Sequence, residues 1–82
     1  MAWQTTQRKI NDALWLYGEP SLGNVLSALS NDGLLKKEHS EIEKDLQGEI
    51  DTHQEFAVRG ILVNGQSLAN RLYQKLLGLG AL

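Results

Sequence analysis

His39 and His53 are the only histidines in the chain, fourteen residues apart, and acids crowd around them at Glu38, Glu41, Glu49 and Asp51. Imidazole and carboxylate together are the raw material of a metal site or of acid–base catalysis. The one local pair with helical spacing is Glu49–His53, a common i, i+4 neighbour pair that lacks a third ligand at a metal-binding interval. Five serines and two tyrosines offer hydroxyls. A nucleophile, however, needs a base within reach and a group to orient that base. Two histidines in an acidic stretch supply no such triad. Gly60 and Gly65 stand at P-loop spacing, but Ser67 follows Gln66 where that loop needs a lysine. With no cysteine there is no disulfide, no thiolate nucleophile and no cysteine-ligated zinc. The expectation is a protein that is not an enzyme, with no cofactor, no metal and no catalytic residues.

Charge is the next signal. The net charge is −2, but Glu38 to Glu55 holds seven acids against Lys44 alone, a local balance of −6, while the remainder stands at +4. A chain that grips phosphates usually carries a basic surplus. Glu41, Glu43, Asp45 and Glu49 are therefore candidates for a docking face toward a basic protein partner. Their structural alternative is the solvated flank of an amphipathic helix. Trp15 stands between Leu14 and Leu16, and Trp3 stands twelve residues earlier. Aromatic surface beside a thin core marks association surfaces, so Trp15 joins the candidate interface residues.

The elements that must position these groups are helical. Fifteen of the 82 residues are leucine and β-branched residues are few. Thr5 or Thr6 can cap a first helix running to Tyr17, with Trp3, Ile10, Ala13, Leu14 and Tyr17 on its inner face and Gly18 as its stop. Ser21 can cap a second helix, 21–32, with Leu22, Val25, Leu26 and Leu29 inward and Gly33 taking the left-handed position that ends it. Ser40-Glu41-Ile42-Glu43 reads as a capping box. It opens a third helix over 41–59, with Ile42, Leu46, Ile50, His53 and Ala57 inward. Gly48 weakens that helix and Gly60 ends it. Asn64 or Ser67 can cap a fourth helix, 66–77, on Leu68, Leu72, Leu76 and Leu79, after which Gly78 and Gly80 loosen the tail. The fold expected is all-α, a compact four-helix domain filling residues 1–82 as one unit.

Residues 6–35 resemble the helix-turn-helix core of winged-helix transcriptional regulators. The matching elements are Thr6-Gln7, Ile10 to Leu14, Ser21-Leu22 opening the second helix, then Leu26, Leu29 and Gly33-Leu34-Leu35. The resemblance implies a second helix that enters the major groove of duplex DNA and a Gly-Leu-Leu ending that leads into a wing strand. An α+β winged helix, with Leu34–Lys37 paired to Phe56–Val63, is thus the alternative fold. Under it Arg8, Lys9, Lys36 and Lys37 would touch phosphates, and Asn24 and Ser27 would face the bases. The outward positions of the second helix carry no arginine or lysine, although arginine to guanine is the commonest specific base contact. The favoured expectation is therefore a small regulatory or adaptor protein acting through protein–protein interaction. At this size and leucine content a homodimer is expected. No apolar run approaches the ~20 residues of a membrane span, and the N-terminus lacks a signal-peptide core. A cytoplasmic location is the simplest expectation.

Overall fold

The computed structural model describes residues 5–61 and 63–82. Trp3 and Leu62 lie outside the described residues. Four helices follow in order: α1 (Thr5–Leu14), α2 (Leu22–Asn31), α3 (His39–Val58) and α4 (Gly65–Gly78). Among the described residues there is no strand. The protein is an all-α four-helix domain.

Each helix folds because one stripe of its surface is apolar at helical spacing and the others cover it. Ile10 and Leu14 of α1, Leu22, Val25, Leu26 and Leu29 of α2, Ile42, Leu46 and Ile50 of α3, and Leu68, Ala69, Leu72 and Leu76 of α4 form a single buried cluster. The packing runs as a ring. α1 lies against α2 and α4, α3 lies against α4, and α2 meets α3 more thinly. Polar links across the ring include Lys9 with Asp32 at the end of α2 and the Gln7 amide, which donates to Asn70 of α4 at 3.0 Å.

The expected first helix is three residues too long. Continuing α1 through Tyr17 would need the Gly18 N–H on the Leu14 carbonyl. Instead Gly18 donates to Trp15 at 3.1 Å, and the Leu14 carbonyl accepts from Ser21 N–H at 3.0 Å. That bond closes the hairpin onto α2. It leaves Leu16 and Tyr17 in the turn, 63% and 76% exposed, so Tyr17 does not extend the inner stripe.

Ser21 does cap α2, its hydroxyl accepting from Asn24 N–H at 3.4 Å. Gly33 takes φ +70° at the other end, and Leu34 N–H reaches back to the Leu29 carbonyl, a Schellman ending. Gly60 and Gly80 end α3 and α4 in the same way. Gly80 therefore secures the tail rather than loosening it. Ala81 is buried, and its carbonyl accepts from Lys36 N–H at 2.7 Å.

The expected capping box of α3 is not formed. The helix opens two residues earlier, with Glu38 at the cap and no side-chain cap bond, and Glu41 N–H donates to the Glu38 carbonyl. Ser40 thus lies inside the first turn. Glu41 remains in the first turn, where the positive end of the helix favours a carboxylate. At α4, Asn64 is the cap, accepting from Gln66 N–H at 2.7 Å.

The winged alternative fails on backbone hydrogen bonding. Leu34 N–H is held by the Leu29 carbonyl and Lys36 N–H by Ala81 in the C-terminal tail, and Phe56 to Val58 belong to α3. Among the described residues the two segments form no strand.

Candidate interaction site

Glu41, Asp45 and Glu49 follow one another at four-residue steps on α3, which puts them along one edge of the helix, since each step advances about 40° past a full turn. Glu41 and Asp45 are exposed, and Glu49 is half-buried where this edge approaches the core stripe. Glu43, two residues from Glu41, is about 200° around the helix and is exposed on the other edge. None of these four carboxylates has an ion pair among the described residues; α3's acids make one such bond, Glu55 to Arg59 at 2.7 Å. Ile42, Leu46 and Ile50 are all buried between the two edges. The sequence thereby builds a helix whose inner face is fully occupied by core and whose outer charge is uncompensated. Glu41 also borders an open concavity of about 610 Å³ together with Ser30, Lys36, Lys37 and His39.

Trp15 is placed away from that edge. Its indole N–H donates to the Gly65 carbonyl at 3.1 Å, and its ring meets the His53 ring at 5.8 Å between centroids, tilted by 57°. The approach to Gly65 is so close that a Cβ there would lie 2.9 Å from the indole. Trp15 therefore bolts the end of α1 to α3 and to the first turn of α4. Half-buried, it lines a shallow concavity with Asn11, Val63 and Gln66. The five expected interface residues thus fall on three surfaces: the Glu41–Asp45–Glu49 edge, the Glu43 edge and the Trp15 junction.

The six residues expected to meet DNA are also divided. Arg8 and Lys9 line an apolar concavity of about 390 Å³ with Ala13, Leu16 and Ala28, whereas Lys36 and Lys37 border the separate one beside Glu41. Lys9 is engaged with Asp32, while Arg8, Lys36 and Lys37 are exposed without an ion pair among the described residues. Ser27 is exposed on α2. Asn24 is half-buried, and its amide nitrogen is sealed from solvent with no hydrogen-bond partner among the described residues. That donor does not point outward to a base edge.

Glu49 and His53 are both half-buried. Among the described residues no group of three histidine, aspartate or glutamate side chains is placed to hold a metal ion, and no helix is long and apolar enough to cross a membrane.

Between the end of α3 and the start of α4 lies a cleft of about 240 Å³, walled by Phe56, Ile61, Val63 and Leu68, with Ser67 and Arg71 at its polar side. Its apolar walls come from two helices and the segment joining them, so no single periodic stripe announces it. The Arg71 position, one residue before the buried Leu72, reads in sequence as ordinary outer-face charge.

No family model, curated protein or solved structure matches this chain.

Proposed function

We propose that this protein is a non-enzymatic interaction module, a small regulator or adaptor that pairs with a second copy and receives a basic protein partner along Glu41, Asp45 and Glu49. The observation that carries the reading is the uncompensated charge of α3. Three acids align on one edge without an ion pair among the described residues, although the rest of the chain holds a surplus of cations. Such an edge raises the encounter rate with a basic surface and confers selectivity more than raw affinity. Leu16 and Tyr17, largely exposed, supply apolar surface for self-association.

The test is charge reversal at exposed positions, Glu41→Lys with Asp45→Lys, followed by binding to a lysine-rich peptide. Wild type should bind with an on-rate that falls as salt rises, because exposed charges are screened within a Debye length of about 8 Å at physiological ionic strength. The reversed variant should stay folded and lose binding. Equal binding by both proteins would reduce the acidic edge to solvated surface. Sedimentation equilibrium tests the pairing; a 9.1 kDa monomer at high micromolar concentration would remove the homodimer.

A second reading is favoured by Arg8, Lys36 and Lys37, exposed cations at the α1–α2 hairpin and just beyond it. It is DNA binding of the helix-turn-helix type, with these side chains on phosphates. Its test is duplex affinity at low salt. Each phosphate contact removed by Lys36→Ala or Lys37→Ala should flatten the slope of log K against log salt by about 0.9. No affinity at low salt ends it.

A further inference from the structure

We infer that the cleft between α3 and α4 binds a small apolar acid, a carboxylate carried on a hydrocarbon group the size of one side chain. The walls set the apolar half of this chemistry. Phe56 and Val63 are half-buried, Leu68 is buried, and Ile61 is 50% exposed although it is a large aliphatic side chain. An aliphatic or aromatic group entering here covers surface that the fold itself leaves wet.

Arg71 sets the charged half. It lines the cleft and makes no ion pair among the described residues, in a chain that is net acidic and beside the most acidic helix. No aspartate or glutamate lines the cleft with it. A guanidinium presents a planar fork that matches a carboxylate with two parallel hydrogen bonds. Ser67, one helical turn before Arg71 on the same side of α4, adds a hydroxyl donor at that end. His53 also lines the cleft, but its ring is already packed on Trp15.

Size limits the ligand. About 240 Å³ falls below the roughly 300–1,000 Å³ of clefts that hold drug-sized molecules. Nucleotides and extended cofactors are too large, whereas a short-chain or phenyl-substituted acid fits. The same chemistry occurs at the free C-terminus of a peptide ending in an apolar residue, a recognised mode of peptide capture. The inference uses no residue of the Glu41–Asp45–Glu49 edge, so each stands or falls separately.

The experiment titrates hexanoate into the full chain, followed by amide chemical shifts and calorimetry, with hexan-1-ol as the uncharged control. Saturable shifts should concentrate at Phe56, Ser67, Leu68 and Arg71, and hexanol should bind at least tenfold more weakly. Arg71→Gln should weaken hexanoate at least tenfold, the scale of a lost charge-assisted hydrogen bond. Arg71→Lys should recover part of the loss, and Lys75→Gln, on the same helix but outside the cleft, should leave binding unchanged. A leucine-terminated peptide is then compared with its C-terminal amide. Competition with hexanoate by the free acid alone supports the site and assigns it to chain termini, whereas hexanoate binding without peptide competition supports it and assigns it to free acids. Hexanol binding as tightly as hexanoate, an unaffected Arg71→Gln variant, or no saturable shift at these residues would each overturn the inference.

Discussion

α2 and α3 solve the same problem in opposite ways. α2 has ten residues and buries four, Leu22, Val25, Leu26 and Leu29. Its start is capped by a serine hydroxyl, and its end closes on Gly33. α3 is twice as long and buries three, Ile42, Leu46 and Ile50, all in its first twelve residues. It opens without a side-chain cap and carries Gly48 on an open surface. Beyond Ile50 no residue of α3 is fully buried, and Val58 is 88% exposed. α2 is therefore a core element with little spare surface. α3 is anchored along its first twelve residues, the span that also carries the Glu41–Asp45–Glu49 edge, and has no fully buried residue beyond them. Most helical stability in proteins comes from packing an apolar face rather than from propensity, so the two helices should answer mutation differently.

The largest effect should come from the core of α2. Leu29→Ala empties a fully buried site and should cost about 3 kcal/mol, a large share of the stability of a domain this small. Urea titration should show a collapse of the midpoint. A loss under 1 kcal/mol would mean that α2 is not the packed partner in the comparison.

The Trp15 junction between the end of α1 and the start of α4 comes next. Gly65→Ala drives a Cβ to 2.9 Å from the Trp15 ring. Overpacking of that kind costs about 1–3 kcal/mol, so the net change should be destabilising, with Trp15 emission shifted to the red as the indole leaves its site. A stabilised variant with unchanged emission would show that Trp15 does not clamp α4.

Capping separates the helices more finely. Ser21→Ala should cost about 1 kcal/mol, whereas Ser40→Ala should stay within about 0.5 kcal/mol because its hydroxyl caps nothing. Thermal melts of the two variants check this directly, and equal losses would restore the capping box to α3.

The smallest effect should have the opposite sign. Gly48→Ala has open space around the new methyl group and should stabilise by about 0.4–1 kcal/mol. Hydrogen exchange along α3 should slow as a result. If exchange is unchanged, α3 does not fray at Gly48.

Periodicity determined which faces turn inward along most of the chain, although Ala57, expected on the inner face of α3, is exposed. The stripes Leu22–Val25–Leu26–Leu29, Ile42–Leu46–Ile50 and Leu68–Leu72–Leu76 are legible because burial of an apolar stripe is the dominant local constraint, and it repeats with the helical turn. Gly33 and Gly60 were legible as ends because their φ values suit no other residue as well. The acidic charge of α3 was equally plain, as composition. Other decisions belonged to tertiary structure. Where α1 stops depends on the Ser21 N–H taking the Leu14 carbonyl, and where α3 starts depends on a turn that an attractive local motif does not control. The seating of the indole on Gly65, which takes Trp15 away from the Glu41–Asp45–Glu49 edge, and the cleft beside Arg71 arise from residues far apart in the chain. Sequence spacing reports neighbours along one helix, while these arrangements are set by how separate helices meet, and only the packed chain contains that information.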